Sequence, residues 1–424
     1  MKLICATSDY AFPGNDDALE VVLYGRADRQ TRGSAGAAIK EEIVRDKLHA
    51  ATRAWDFLSL ALSATAADLA GHCNTSSDGW TREFDLDVSV SDPDFWNTQH
   101  DPLQRLLSFL TTDRWQVRFV PGGLASVPDL APLRPTQDCV ALLSGGLDSF
   151  IGCVDLVTNG KLPFVVSQIV RGDADNQRSF ARAMGNLKHL QINHNADVPD
   201  PENPPSQRAR SLIFLAYAVL TATTLQRYHA GDNVTVYLCE NGFISINPPL
   251  TAARIGSLST RTTHPVFLRL VQQVLDAASL RVTIENPYQL KTKGEMLREC
   301  ADRQLLLAHA CDTTSCGRFK HFGYKHCGRC VPCLVRRGAF LAAAIPDTTE
   351  YVYKNLGIDD DEHAAFDDVR AAAMAVAQVD ADGLESWIGT SLSTALLPDI
   401  SLLETAVHRG LREVGALLNS YGVK

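Results

Sequence analysis

The chain has 424 residues, room for two or three domains, and is 45% hydrophobic and 21% charged. That balance excludes disorder, collagen and coiled coil as its main class. Lys and Arg total 40 against 49 Asp and Glu, so a chain-wide basic footprint for nucleic acid is absent, and no apolar run approaches the ~20 residues of a membrane span. The first residues hold too short an apolar stretch for a signal peptide, and 11 Cys in a chain of this size do not read as a disulfide framework. The expectation is a cytoplasmic protein. Residues 55–69 are rich in Ala and Leu and predict a helix, and residues 84–90 alternate apolar and polar as a half-buried strand does. A short helix over 103–110 and a second alternating strand over 115–120 complete an N-terminal α+β domain, residues 1–130, that is a candidate partner-binding unit. A Pro-bearing loop, 121–135, ends it.

From Asp138 the rhythm changes. Continuous apolar runs at 139–143 and 164–170, a strand near Leu190 and strands over 234–238 and 281–284 alternate with helices over 148–157, 176–187 and 207–226. Buried strands alternating with helices predict an α/β unit, a five-stranded parallel sheet covered by helices, over residues 136–345. Residues 346–424 are Ala-rich and acidic and read as a helical C-terminal extension, with helices over 364–377 and 401–418 and a solvated acidic run at 359–362.

The sharpest motif is Ser144, Gly145, Gly146, Leu147, Asp148, Ser149, directly after a buried strand and at the opening of a helix. Backbone N–H groups of such a turn converge on phosphate oxygens, and the helix N-terminus adds partial positive charge. Asp148 is suited to hold Mg²⁺ on those phosphates. A Walker-type G-x-x-x-x-G-K-[ST] is absent. The second motif is Cys316, then Cys327, Cys330 and Cys333 in two C-x-x-C steps. Four thiolates at this spacing suit a closed tetrahedral Zn²⁺ site, with an Fe–S cluster as the second choice. His321, His326 and Cys311 stand nearby as alternates.

Ser-Gly-Gly-x-Asp-Ser after a buried strand resembles the signature of PP-loop (HUP-type) ATP pyrophosphatases. The resemblance implies ATP split to AMP and pyrophosphate, with Ser144, Gly145, Gly146, Leu147, Asp148 and Ser149 on the pyrophosphate. It places the segment after the second strand, Gln168 and Val170 included, at the adenine. The cysteine motif with Arg336 and Arg337 behind it is similar to the C-terminal zinc motif of the QueC family, which converts 7-carboxy-7-deazaguanine to its nitrile through an adenylate and an amide. The start of a helix at Arg210 and the Lys291–Glu295 stretch resemble two further QueC elements. Arg210, Lys293 and Asp148 are therefore the candidate catalytic residues. The competing readings are a solvated arginine for Arg210 and an ordinary surface lysine for Lys293. The resemblance spans about residues 138–345, half the chain.

The enlarged architecture, and a segment over 240–265 unlike the QueC pattern, resemble the QueC-like subunits of bacterial anti-phage operons, the QatC group of Qat systems above all. That implies an ATP-dependent C–N ligase using ATP, Mg²⁺ and Zn²⁺, which joins the 7-deazaguanine carboxylate to an amine of a QatB-like partner protein from the same operon. Alternatives are a small-molecule synthase that uses ammonia, a tRNA-modifying PP-loop enzyme and a non-catalytic ATP-binding scaffold. Direct nucleic-acid binding and membrane association are not expected. Asn241 and Gly242 fall at the end of the fourth strand, where open α/β sheets bind ligands. Arg254, Arg261 and His264 lie in a Ser/Thr-rich loop suited to closing over substrate, with His264 expected to be exposed. Trp96 and Trp115 read as core.

Overall fold

The computed structural model describes all residues except 15–16, 29, 125–131, 204, 251–260, 358–365, 393–396, 398–399 and 424. Two five-stranded sheets form among them, and every pairing in both is parallel. The first holds β1 (Lys2–Thr7), β2 (Leu19–Leu23), β3 (Gly33–Ala35), β4 (Glu83–Val90) and β5 (Arg114–Pro121) in the order β3-β2-β1-β4-β5. The second holds β6 (Cys139–Leu142), β7 (Pro163–Gln168), β8 (His189–Ile192), β9 (Val234–Tyr237) and β10 (Val282–Glu285) in the order β10-β9-β6-β7-β8. Counted along the chain within each sheet, both orders read 3-2-1-4-5.

The second sheet is the α/β unit that the alternation of strands and helices predicts. The first is α/β as well, where the sequence suggests α+β. Alternation in β4 and β5 misleads because helices Thr52–Ala70 and His100–Thr111 pack on one face, while Asp85, Gln116 and Arg118 on the other are exposed. A parallel sheet with one wet face carries the pattern usual for antiparallel ones. Strands β1 to β3 carried no prediction, since no helix separates them to mark the strand–helix alternation.

Helix Thr52–Ala70 buries 16 of its 19 residues, which its small and apolar residues all round allow, and it packs against helix Arg210–Ala222 of the second unit. One continuous hydrophobic core therefore joins the two sheets, from Leu3 and Leu62 to Val219 and Val236. A buried ionic network seals the same interface. Arg82, 3% exposed, pairs with Asp68 and Asp113 at 2.7 Å each, and Arg208 reaches Asp113 at 3.0 Å. Asp68 also accepts from Ala209 N at 3.0 Å, which fixes the start of the helix that carries Arg210. Arg82→Ala removes the ion-pair partner of buried Asp68 and leaves Asp113 with Arg208 alone, and is expected to destabilise the chain by about 3 kcal/mol, read from a denaturant titration.

Helices Phe366–Asp382, Leu384–Leu392 and Ile400–Ser420 form the C-terminal region, and the last lies along helix Val331–Ala342. The predicted acidic run at 359–362 and the start of the helix predicted over 364–377 lie outside the described residues. Among the described residues, no helix is long and apolar enough to cross a membrane.

Candidate active site and metal centre

The Ser-Gly-Gly loop leaves the C-terminal end of β6, the central strand from which the chain crosses to opposite sides, and opens helix Leu147–Thr158. Such a switch point is where open α/β sheets take ligands. The loop is held by its own hydroxyls: Ser144 Oγ and Ser149 Oγ lie 2.9 Å apart, and Ser149 Oγ accepts from Ser144 N at 3.1 Å. Gly145 has φ +92°, a conformation that favours glycine. Gln177, 1% exposed, donates to the carbonyls of Ser144 and Gln168 and so ties the loop to the end of β7.

Asp148 is buried at the base of this loop. Lys293 Nζ approaches its Oδ1 at 2.5 Å, and Asn241 donates to Oδ2 from its side chain at 2.6 Å and its backbone at 3.2 Å. Burial opposes ionisation, yet the Lys293 charge and hydrogen bonds from Glu240, Lys293 and Asn241 hold the Asp148 carboxyl down at about 2. Glu240 beside it goes the other way: burial, then the Asp148 charge, push its carboxyl well above the usual range. The surroundings thus favour the ionised form of Asp148 and the protonated form of Glu240. Together with Ser144, Gly146, Leu147, Ser149, Thr314 and Ser315 they line a cavity of about 230 Å³. Asn241 gives both its donors to Oδ2 and Lys293 alone holds Oδ1, so Oδ1 keeps a lone pair with which it would hold Mg²⁺ beside the Lys293 ammonium.

A larger cleft of about 440 Å³ opens beyond the end of β7. Gln168, Ile169, Val170 and Arg171 line it, with His194, Arg210, Lys320 and Tyr324. Helix Thr52–Ala70 contributes Thr65, Asp68 and Leu69, so the N-terminal unit walls it too. Three cationic side chains therefore face one cleft. Arg210 donates to Gln207 at 2.9 Å, and its charge acts on Asp173. Gln168 Oε1 and Asp173 Oδ1 are buried acceptors without a partner among the described residues. A group of that kind calls for a donor from a ligand or water.

The four cysteines meet as a unit. Their sulfurs all lie within 4.8 Å of one another, with Cys316 to Cys330 and Cys327 to Cys333 each at 3.9 Å. A tetrahedron with Zn–S bonds near 2.3 Å has edges of roughly 3.8 Å, so zinc fits. Backbone N–H groups of Arg318 and Cys327 point at Cys316 Sγ, and that of Cys330 at Cys327 Sγ, as thiolates require. His326 is turned away from the sulfurs, accepting from Ser315 N at 3.1 Å.

The cluster is wired to the phosphate loop. Thr314 N donates to Gly145 O at 2.9 Å, and Thr314 O stands where a side chain on Gly146 would crowd it, at 3.3 Å. Arg336, fully buried on the helix that follows the cysteines, donates to Thr313, Ser315, Ala310 and Thr349. The metal knuckle and Arg336 together hold the segment on which the loop rests.

The sequence names Asp148 and Lys293, which the structure brings together, and Gln168, Val170 and Arg210, which the structure places in the neighbouring cleft. It does not single out Glu240 or Thr314, which line the phosphate cavity; for Glu240 the signal was its position just past a buried strand. Arg261 and His264, expected in a loop closing over substrate, do not line the cavity. Arg261 donates to Phe109 O at 2.8 Å, on the N-terminal unit. His264 is 2% exposed, lies against the Phe109 ring and caps helix Pro265–Ala277 through Nδ1, because the first amides of that helix need an acceptor. Arg254 lies outside the described residues. Trp96 and Trp115 are buried as core.

A parallel 3-2-1-4-5 sheet with this loop at its switch point and a four-cysteine knuckle behind it is consistent with a PP-loop domain. The chain matches the family queuosine biosynthesis protein QueC over residues 262–344. It is 37% identical over 233 residues to the 7-cyano-7-deazaguanine synthase of Paracoccus denitrificans, covering 50% of this chain and 92% of that protein. The synthases of Syntrophobacter fumaroxidans and Ectopseudomonas mendocina are 27% and 26% identical, over 51% of this chain and 97% and 98% of theirs. The chain belongs to the QueC family, with about half its length outside the match.

Proposed function

We propose that this chain is an ATP-dependent C–N ligase that adenylates the carboxylate of 7-carboxy-7-deazaguanine and passes it to an amine of a partner protein, as part of a QatC-like anti-phage system. The observation that carries the ligase reading is the loop Ser144–Ser149 with its Asp148–Lys293 pair, opening beside a cationic cleft that holds the unpartnered side-chain Oε1 of Gln168. The triphosphate lies on the loop N–H groups, and Gln168 accepts from the exocyclic amine of the adenine. A substrate carboxylate oxygen attacks the α-phosphorus, and the bond to the β-phosphate breaks as pyrophosphate leaves. The amine nitrogen then attacks the acyl carbon, AMP departs and the amine proton passes to solvent. Positioning and charge stabilisation do the work: Lys293 and Arg210 offer positive charge to the leaving pyrophosphate and the carboxylate. Zinc on Cys316, Cys327, Cys330 and Cys333 is structural, since four sulfurs leave no open position.

The acceptor is the part of this reading that departs from the relatives. Half the chain lies outside the match to them, which supports an acceptor other than ammonia. The names of the relatives favour the second reading, a small-molecule 7-cyano-7-deazaguanine synthase. Intact-mass spectrometry separates the two. Incubating the operon partner with the enzyme, ATP, Mg²⁺ and 7-carboxy-7-deazaguanine is expected to add the base minus water to the partner. AMP with a free amide or nitrile instead assigns the small-molecule reaction, and neither product overturns both.

A further inference from the structure

The C-terminal helix Ile400–Ser420 lies beyond the stretch that matches the QueC family, yet it touches both supports of Asp148. Glu413 Oε2 accepts from Gly294 N at 3.1 Å, and its Oε1 accepts from the Thr292 hydroxyl. Gly294 is the residue after Lys293, and Thr292 the residue before it. The first amides of a helix have no partner within it, so Glu413 fills a need at the turn that presents Lys293. One turn earlier Arg409 forks onto Glu295 at 2.6 and 3.3 Å and donates to Leu290 O at 2.7 Å. The fit is close enough to exclude a side chain at Gly294, whose Cβ would stand 2.4 Å from Glu413 Oε1.

The same helix seats the other partner of Asp148. Asn241 caps the short helix Gly242–Ile246 by accepting from Ile244 N. That helix lies on Ala406 and Gly410: a Cβ at Gly410 would meet the Phe243 ring at 2.5 Å, and one at Gly242 would sit 3.5 Å from Ala406 Cβ. Lys293 and Asn241 thus reach one carboxylate from two elements that share a single brace. The spacing of Ala406, Arg409, Gly410 and Glu413 puts all four on one helix face.

We propose that Glu413 and Arg409 are positioning residues that hold Lys293 on Asp148, making the C-terminal helix a working part of the ATP site. This rests on the reading of Lys293 as an ATP-site group. A lysine released from this clamp leaves Asp148 and becomes open to solvent; a lysine held by it is 7% exposed.

The test uses the full chain and two readouts. In Glu413→Ala, kcat for AMP formation is expected to fall about tenfold while KM for ATP changes less than about twofold. Acylation of Lys293 by a succinimidyl ester, followed by peptide mass spectrometry, is expected to rise about fivefold, with exposed Lys161 unchanged. Glu413→Gln keeps an acceptor for Gly294 N and is expected to recover most of both. Arg409→Gln, which leaves Glu413 in place, moves both readouts the same way by a smaller factor and serves if the alanine variant does not fold. Unchanged Lys293 labelling and kcat in the Glu413 and Arg409 variants, with Lys293→Ala inactive, overturn the brace alone. Wild-type turnover in Lys293→Ala overturns the reading of Lys293, and the brace with it.

Discussion

Asp148→Asn will lower ATP turnover by at least about a hundredfold, the scale on which pre-organised charge in an active site acts. The substitution keeps an oxygen for Lys293 but removes the negative charge that fixes it and that a nucleotide-bound cation would meet. It also places an amide N–H₂ where Asn241 now donates from its side chain and backbone, so donors face donors. Because Asp148 is buried, the mismatch cannot be relieved by water. Asp148→Ala goes further and leaves the Lys293 ammonium, 7% exposed, with no counter-charge; a loss of about 3–5 kcal/mol is expected for it. Pyrophosphate release measures the first effect and a denaturant titration the second. Turnover within about threefold of the parent in the Asn variant, against the hundredfold expected from lost electrostatic stabilisation, would remove Asp148 from the mechanism; no pyrophosphate release from the parent itself would favour the scaffold reading.

The second large effect is on metal. Cys327→Ser is expected to cut bound zinc from one ion per chain to a small fraction, measured by elemental analysis, and to lower turnover by about tenfold or more although no cysteine lines the phosphate cavity from the cluster. The route is mechanical. Without the ion, the segment through Thr313, Thr314 and Ser315 loses its anchor at Cys316, and Gly145 O loses the Thr314 N–H. Arg336, fully buried, keeps only part of its partners, and a buried guanidinium without acceptors is costly. Metal binding contributes to folding itself, so a strong chelator should lower the melting temperature and the loss should reverse on adding Zn²⁺. A Cys327→Ser chain that keeps full activity and its melting temperature would detach the knuckle from the loop.

The two extra regions also take on a different meaning. Expected as units that recruit a partner, they reach into the site itself. Helix Thr52–Ala70 walls the cleft and, through Asp68, fixes the start of the helix that carries Arg210. Helix Ile400–Ser420 grips the turn that carries Lys293.

What the sequence determined by itself is local. Ser144 to Ser149 after an apolar run and four cysteines at metal spacing are chemistry written within a few residues, because a glycine turn and a C-x-x-C step each need only their own neighbours. The buried runs at β6 and β7 were legible for the same reason, since a strand covered on both faces must be apolar throughout. Tertiary structure decided the rest. The alternation at 84–90 and 115–120 suggests an α+β unit, and only the topology reveals five parallel strands. Glu240 is an ordinary glutamate until burial beside Asp148 pushes its carboxyl well above the usual range. Glu413 meets Thr292 across 121 residues, a separation that no local pattern encodes. Side chains far apart in the chain acquire a role only when packing removes water from between them, which is why the loop could be read and its supports could not.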